Sequence, residues 1–377
     1  MSNETVRYCN LDDFAKSYRE IHGYLSVLVC IFGSVANILN ICILTTREMR
    51  WPTNFILTGI AVADLFVMLV YIPFASHQYL NSKPTHHSDN YSYSWVVYLK
   101  FYASFSLIFH FISCCLTVIL AVWRYIAINH PQNNKLWYAV NNVKSTLYAI
   151  LFIYVICPVI CIPVYLAQNI KSNRRYVDNN SIILNKKYLG GDYNITVYTI
   201  DISGDFVYAT FWVYTVVIKL VPCVLLTILS MRLISALMDT KKRRRELINN
   251  SGVPLKDQSV LKQRRHIEKE LQTDRTTRML VAVLLLFLIT ELPQAILGLF
   301  CILMGKDFLN QCYIPLGDVI DMLALVNSAI NFILYCSMSR QFRSAFGELF
   351  RPKLLNKWLP LPTHIEMNGA MTQVTQV

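Results

Sequence analysis

The chain has 377 residues, of which 54% are hydrophobic and only 15% are charged. A soluble globular domain usually carries about 25% charged residues, so this composition argues against a soluble protein and favours one embedded in lipid. The formal net charge of +12 would suit a nucleic-acid partner, but the densest basic run, at 241–245, lies between two strongly apolar stretches. We therefore expect no nucleic acid to bind.

Seven apolar stretches follow along the chain, each long enough to cross a bilayer. A span needs about 20 apolar residues because the hydrocarbon layer is about 30 Å thick and an α-helix rises about 1.5 Å per residue. Runs of this length exclude the strands of a membrane barrel. The sequence therefore predicts an all-α membrane protein, a seven-transmembrane helix bundle. The predicted spans are 25–46, 55–79, 95–128, 147–166, 206–237, 279–304 and 314–338.

Basic residues set the predicted orientation of the bundle. Loops rich in Lys and Arg stay in the cytoplasm, and the loop at about 239–278 carries the densest basic run. We expect a multi-pass protein of the plasma membrane with its N-terminus outside. A solvated loop attracted to anionic membrane lipid explains the same charges without any specific contact. N-glycosylation acceptors fall in the predicted outer segments at Asn3, Asn90, Asn179 and Asn194.

Further segments extend the bundle at both ends. We predict an extracellular N-terminus at 1–21, the transmembrane domain at 22–338, and an amphipathic helix on the inner membrane surface at 339–351. The tail at 352–377 is expected to be cytoplasmic and disordered. Its threonines suit phosphorylation for arrestin, and its end fits a PDZ-domain ligand, although an unbound tail explains so short a match more simply. That end is Thr375-Gln376-Val377.

A few polar residues interrupt the apolar stretches. A charge at the bilayer centre costs about 2.5–3.5 kcal/mol on insertion scales, so Asp64 must face the interior and find partners. Oxygen and amide groups from three helices around one carboxylate would suit a hydrated Na⁺ ion. A network of water around a protonated Asp64 explains the same residues equally well. The predicted network consists of Asp64, Ser113, Asn327, Ser328 and Asn331.

Short motifs near the inner ends of two stretches carry a family resemblance. Trp123-Arg124-Tyr125 ends the third stretch, and Asn331-Phe332-Ile333-Leu334-Tyr335 ends the seventh. With these motifs, residues 22–351 resemble the rhodopsin-like (class A) G-protein-coupled receptors. The positions that match the family's reference residues, one in each of six stretches, are Asn37, Asp64, Arg124, Pro222, Pro293 and Tyr335.

This resemblance implies a signalling protein whose sixth helix swings outward on activation. A heterotrimeric G protein would bind on the inner side, near Arg124, Tyr125 and Tyr335. Pro222 and Pro293 would kink their helices, because proline removes a backbone hydrogen bond.

Departures from the family's usual pattern narrow the resemblance. Trp123 replaces the acid that usually precedes the arginine, Phe332 replaces the usual proline of the seventh span, and Glu291 replaces the usual tryptophan of the sixth. With the segments 218–223 and 338–343, these departures make the chain resemble the invertebrate myosuppressin receptors, with sex-peptide and other FMRFamide-like receptors as relatives. The resemblance implies a neuropeptide ending in an amidated Arg-Phe and a G protein of the inhibitory (Gi/o) class.

The implied ligand dictates the chemistry of its site. A guanidinium, an aromatic ring and amide hydrogens call for buried acids and an aromatic pocket. Asp318 and Asp321 are three residues apart and can share one face of the seventh helix. We expect Asp321 to bind the guanidinium and Asp318 to support it at the rim, although a favourable charge at a helix N-terminus explains Asp318 equally well. The other predicted contacts are Glu291, His110, Ser106, Tyr102, Phe105 and Lys219.

Two basic side chains could form an ion pair with Glu291. Lys219 and His110 should both point inward at a similar depth. A buried Glu291–Lys219 pair would act as a lock whose rupture frees the sixth helix. Burial could instead leave Glu291 protonated and Lys219 neutral.

Cysteine positions depart from the broad family as well. No cysteine stands at the outer start of the third stretch or between 166 and 221, so the family's common bridge cannot form. Cys9 and Cys312 are the clearly outer cysteines, and we expect them to pair in an oxidising compartment. Two free thiols are the alternative.

Other function classes find little support in the sequence. It contains no nucleotide loop, metal-spaced His/Cys set or nucleophile elbow, so we expect no enzyme. A receptor for an unrelated peptide is one alternative. A protein that moves ions or solutes, with Asp64, Glu291 and Lys219 along the path, is the alternative from another class, and the lack of an internal repeat argues against it.

Overall fold

The computed structural model describes residues 8–80, 92–129, 138, 140–178, 181–183, 194–202, 210, 212–250 and 258–350. Within this part of the chain, seven helices are long and apolar enough to cross a membrane, which confirms the predicted bundle. They are α1 (Asp12–Leu44), α2 (Pro52–Ala75), α3 (Tyr93–Asn129), α4 (Val143–Leu166), α5 (Val221–Asn250), α6 (Gln258–Met304) and α7 (Gly317–Met338).

Shorter elements join and extend these helices. A π-helical segment, Val213–Leu220, leads into α5, and two further π-helical turns, Ser76–Leu80 and Leu309–Tyr313, lie at the end of α2 and before α7. Arg47–Met49 and Lys306–Phe308 each form a single helical turn. The helix α8 (Arg340–Phe350) follows α7.

The helix α3 lies at the centre of the bundle and contacts α2, α4, α5 and α6. Its Leu116 and Leu120 are fully buried in the main apolar core, together with Ile56 of α2. Small residues allow close approach elsewhere, as is usual between membrane helices. A Cβ atom added at Gly33 of α1 would collide with the side chain of Met68 and lie 2.9 Å from the Cβ of Ala329, so α1, α2 and α7 meet tightly there.

Large apolar side chains cover the outward faces of the helices. The helix α4 shows this most clearly, since only 17% of its most apolar 18-residue stretch is buried inside the bundle. A continuous apolar surface of this kind is suited to lipid and not to water. Exposed apolar residues of α4 include Leu147, Leu151, Phe152, Val155, Val159 and Ile162.

The first helix begins earlier than hydropathy indicates. The first apolar stretch of the sequence starts at residue 25, whereas α1 begins at Asp12, within the segment predicted as the outer N-terminus. The acidic first turn is favourable at a helix N-terminus. Ring contacts one turn apart continue the helix, because Phe14 stacks on Tyr18 at 6.0 Å and Tyr18 contacts His22 at 5.5 Å. These stabilising contacts are invisible to a scan for apolar runs.

The predicted basic loop is also largely helical. The predicted loop at about 239–278 falls mostly within α5, which continues to Asn250, and α6, which starts at Gln258. Lys, Arg, Glu and Leu dominate these extensions, and all four are good helix formers. The apolar parts of the two helices, Val213–Ala236 and Val281–Met304, agree with the predicted spans where the structure describes them.

A small antiparallel sheet between α4 and α5 was not predicted. It consists of β1 (Gln168–Asp178), β2 (Ser181–Ile183) and β3 (Asn194–Ile202) in the order β2-β1-β3. An ion pair between Lys171 and Asp201 links β1 to β3 across the sheet. The end of the bundle that carries this sheet is called the sheet end below.

The helix α8 packs against the end of the bundle opposite the sheet end. Phe342 is 1% exposed and lies 5.6 Å from the ring of Tyr335 and 5.8 Å from that of Phe332. Arg343 donates to the carbonyl oxygens of Cys336 and Ser337 at 2.8 and 2.9 Å, which satisfies the last turn of α7.

Candidate functional site

A cavity of about 570 Å³ opens at the sheet end of the bundle, where Gln168 of β1 forms part of its wall. A volume of this size is within the range of sites for small molecules or for the end of a peptide. Aromatic hydroxyls, amides and two opposite charges make its lining chemically mixed. The polar lining consists of Tyr71, Tyr102, Ser106, His110, Gln168, Thr210, Tyr214, Lys219, Gln294, Tyr313 and Asp321.

The carboxylate of Glu291 lies beneath this cavity and is already paired. Lys219 Nζ donates to Oε2 of Glu291 at 3.1 Å, and Nε2 of His110 lies 3.0 Å from the same oxygen. Glu291 and Lys219 are 1% and 5% exposed, so the pair is out of contact with bulk solvent. The sequence left open which residue pairs with Glu291, and the structure brings both to it. A buried charge held this way is costly to disturb.

The carboxylate of Asp321, by contrast, lines the cavity. Within the described residues, the structure gives Asp321 no hydrogen bond and no ion pair. Its neighbour Asp318 lies outside the cavity lining and accepts a hydrogen bond from the hydroxyl of Tyr79 at 2.7 Å. The two acids on one face of α7 therefore have different environments, and Asp321 is the one that lines the cavity.

Five of the eight predicted ligand contacts line the cavity: Tyr102, Ser106, His110, Lys219 and Asp321. Glu291 and Asp318 lie beside it with the partners just described. Phe105 lies away from it and packs against Phe109 at 4.5 Å and Phe101 at 5.2 Å. The α3 ring nearer the cavity is Tyr102, which stacks on Phe74 at 4.2 Å.

Sequence reasoning missed a polar group on the cavity wall. Gln294 Nε2 donates to the hydroxyl of Tyr214 at 2.9 Å, and that hydroxyl lies 3.4 Å from the hydroxyl of Tyr313. Gln294 was detectable, because it lies three residues after Glu291 and shares its helical face. Tyr214 and Lys219 are five residues apart, which would separate them around an α-helix, but their segment is π-helical and brings both into the cavity.

The predicted polar network forms deeper in the bundle. Oδ1 of Asp64 accepts from the hydroxyls of Ser113 at 2.8 Å and Ser328 at 3.1 Å, and Asn331 donates to Oδ2 at 3.2 Å. Asn327 is buried beside this group but makes no hydrogen bond to Asp64 in the described part of the chain. The carboxylate therefore joins α2, α3 and α7.

The segment before α1 is fastened to the turn before α7. Cys9 and Cys312 are paired in the structure, with Cα atoms 5.5 Å apart. Tyr8 adds a backbone hydrogen bond to the side chain of Gln311 at 2.9 Å and a ring contact with Phe308 at 5.9 Å. This attachment is adjacent to the cavity, because Tyr313 is part of the lining.

The opposite end carries the residues of the two family motifs. Trp123 donates to the hydroxyl of Thr146 at 3.3 Å, whereas Nε of Arg124 is buried and has no hydrogen-bond partner among the described residues. Tyr125 is half-buried and Tyr335 is 2% exposed. Pro222 is the second residue of α5, just after the π-helical segment, and Pro293 lies inside α6.

Several predictions fall outside the described residues. The acceptors Asn3, Asn90 and Asn179 do so, as does the tail with Thr375-Gln376-Val377. Asn194 is the first residue of β3. Glycosylation, arrestin binding and PDZ binding stay predictions.

Comparison with known proteins agrees with this architecture. Residues 24–353 match the family model described as serpentine type 7TM GPCR chemoreceptor Srw. The chain is 30% identical to the G-protein coupled receptor dmsr-1 of Caenorhabditis elegans, over 89% of this chain and 69% of that protein. It is 26% identical to the sex peptide receptor of Drosophila melanogaster, over 99% of this chain and 82% of that protein.

More distant proteins extend the comparison. The chain is 25% identical to the thyrotropin-releasing hormone receptor of Mus musculus, over 93% of this chain and 85% of that protein. The crystal structure of squid rhodopsin is similar with a TM-score of 0.63 and 14% identity, over 96% of this chain and 92% of that one. At that identity the likeness shows the fold alone.

Proposed function

The chain belongs to the Srw family of serpentine, seven-transmembrane G-protein-coupled receptors, and from that membership we propose that it is a plasma-membrane receptor for a neuropeptide with an amidated Arg-Phe end. Its relatives are rhodopsin-like receptors and not enzymes. Two of them are named for sex peptide and for thyrotropin-releasing hormone, which supports a peptide ligand here. We propose that the N-terminus lies outside and that the partner is a heterotrimeric G protein of the Gi/o class.

The unpaired carboxylate of Asp321 carries the proposal for the ligand. An acid in a cavity within an apolar bundle costs free energy unless a cation meets it. Nearby Glu291 already has two basic partners, so a cationic ligand group is drawn to Asp321. A guanidinium fits best, because it can form two parallel hydrogen bonds to one carboxylate.

The rest of the cavity suits the phenylalanine amide. Tyr71 and Tyr102 lie with ring centroids 6.0 Å apart and offer an edge-to-face partner for a ligand ring. Tyr71 is held by a hydrogen bond of 2.9 Å to His22, which fixes its position in the wall. Gln294 and Ser106 offer an amide oxygen and a hydroxyl that can accept from the terminal amide. A free carboxylate in its place would meet Lys219 of the described lining, which is already paired with Glu291.

Contacts at the cavity floor connect the ligand to α6. Lys219 and His110 line the cavity and hold Glu291, and Pro293 lies two residues further along α6. A ligand that draws Lys219 away would release α6 at a point where proline has already removed a backbone hydrogen bond. We propose that this release, transmitted to Arg124, Tyr125 and Tyr335, opens the G-protein site.

A sodium ion would fit the deeper network. Asp64, Ser113 and Ser328 present a carboxylate and two hydroxyl oxygens from three helices, which is a donor set suited to a hard monovalent cation. These residues would hold the ion, and its charge would neutralise the carboxylate.

The test is G-protein dissociation in cells expressing the full chain, measured against amidated Arg-Phe peptides and their free acids. Activation by the amides alone is expected. Asp321→Asn should raise the half-maximal concentration by about tenfold or more, which is about 1.4 kcal/mol. Asp318→Asn, on the same face but outside the cavity, is the matched control and should change it far less. Silence across the panel at normal surface expression would discard the Arg-Phe-amide ligand and leave the family assignment intact.

A further inference from the structure

Three side chains of types that bind metals in proteins meet beneath the cavity. Nε2 of His110, Sγ of Cys114 and a carboxylate oxygen of Glu291 all lie within 4.8 Å of one another. Nε2 is 3.0 Å from Oε2 of Glu291 and 3.7 Å from Sγ. All three residues are buried. We propose that His110, Cys114 and Glu291 form a regulatory binding site for Zn²⁺.

The ligand types favour zinc over other common cations. Zn²⁺ accepts imidazole, thiolate and carboxylate together, whereas Mg²⁺ and Ca²⁺ take oxygen ligands. Metal–ligand distances of about 2.0–2.3 Å in a tetrahedral site place the ligand atoms about 3.3–3.8 Å apart. The observed separations of 3.0 and 3.7 Å are close to that range, so small side-chain shifts suffice. Three protein ligands leave one position for water or a small anion.

Glu291 supplies an independent observation. Its Oε1 atom is buried and has no hydrogen-bond partner among the described residues, although Oε2 has two. A buried acceptor left unsatisfied is destabilising and calls for an explanation. A cation bound between Glu291, His110 and Cys114 would satisfy it.

Zinc can bind only if it displaces Lys219 from Glu291. The Lys219 ammonium lies 3.1 Å from Oε2 of Glu291 and would repel a divalent cation, so zinc must compete with the Lys219–Glu291 pair. Cys114 must also release its thiol proton to bind. Ions can reach the site because His110 and Lys219 both line the cavity. Bound zinc would tie α3 to α6 in place of the ion pair and would lower the maximal response to an agonist.

Direct metal binding tests the inference without any peptide, so its outcome is independent of the proposed ligand. The full chain, purified in lipid nanodiscs without a metal-affinity tag, is titrated with buffered free Zn²⁺, and Co²⁺ absorption reports thiolate coordination. Cys114→Ser and Glu291→Gln should each weaken binding by about tenfold or more, and Cys114→Ser should also remove the thiolate band. Cys115→Ser is the matched control: this neighbouring thiol packs in a different apolar cluster and should bind as wild type.

A second pair of variants separates a metal site from a purely structural role. Lys219→Met and Glu291→Gln both break the same ion pair. If zinc binds here, Lys219→Met tightens zinc binding by removing the competing ammonium, while Glu291→Gln weakens it. The same direction of change in both variants would overturn the proposal, as would wild-type binding no tighter than that of Cys114→Ser. Should Cys114→Ser fail to fold, Glu291→His exchanges one zinc ligand for another and must retain binding.

Discussion

The ammonium of Lys219 lies 3.1 Å from the carboxylate of Glu291, directly beneath the cavity. This contact joins the π-helical segment before α5 to the middle of α6, two residues before Pro293. The cavity, the ion pair and Pro293 are therefore consecutive along one path through the bundle. The predictions below test this path and the groups around it.

Breaking the Lys219–Glu291 pair should raise basal signalling. Removing one member of a buried pair leaves an uncompensated charge, at a cost of about 3–5 kcal/mol in known cases, and this cost falls on the resting arrangement. Glu291→Gln and Lys219→Met should each increase agonist-free G-protein dissociation severalfold, measured with a zinc chelator present. The charge-swapped double variant, Lys219→Glu with Glu291→Lys, is the control for lost pairing and should return towards wild type. Unchanged basal activity and agonist potency in both single variants, at normal surface expression, would contradict the lock.

The Cys9–Cys312 pair should hold the segment before α1 beside the cavity. Cys9→Ser and Cys312→Ser should weaken the agonist response equally, and the double variant should be no worse, because both remove one bond. Thiol labelling of intact cells should detect a new free cysteine in each single variant. Cys301→Ser, a partly buried free cysteine of α6, is the control. Full agonist response in both single variants would argue for two free thiols.

Sodium should oppose agonist binding through Asp64. The oxygens that would hold the ion come from α2, α3 and α7, so an arrangement that separates these helices loses the ion. By linkage, bound sodium must oppose that arrangement, and with it agonist binding, to the same extent. Replacing NaCl by an organic-cation chloride at constant ionic strength should tighten agonist binding severalfold in wild type and have no effect in Asp64→Asn. Thr290→Ala is a control for a buried hydroxyl outside the network, since the hydrogen bonds of the Thr290 hydroxyl within the described residues go to the backbone of α6. An equal sodium effect in Asp64→Asn would place the ion elsewhere.

An acidic residue beside Arg124 should lower the basal activity of the receptor. Nε of Arg124 is buried without a hydrogen-bond partner among the described residues. Trp123 stands where the family resemblance leads us to expect an acid before this arginine. Trp123→Glu and Trp123→Gln both lose the packing of the indole ring, which costs about 3 kcal/mol or more of stability for a large aromatic side chain. The two variants differ from each other only in charge. We expect lower basal activity in the Glu variant than in the Gln variant at matched surface levels. Equal basal activity would show that Arg124 is restrained by other means.

The sequence by itself determined the bundle and part of its interior. Hydropathy is a local property, so each span could be found from its own residues, and Asp64 could be placed inward because no charge is stable against lipid. The partners Ser113, Ser328 and Asn331 followed, since they lie at matching depths on inward faces. The placement of Asp318 and Asp321 on one face of the seventh helix followed from the same kind of reasoning.

Other features became clear only in the tertiary structure. They are the side-chain pairings between distant segments and the side-chain positions set by local departures from the α-helix. The distinction between Asp318 and Asp321 required Tyr79 of another segment, and the pairing of Glu291 with both Lys219 and His110 required three helices to meet. Tyr214 entered the cavity because its segment is π-helical, and the start of α1 at Asp12 rests on ring contacts along an amphipathic turn. A bilayer imposes apolarity on every outward face alike. The specificity of the interior therefore lies in a few polar contacts between helices, and only the packed structure fixes these.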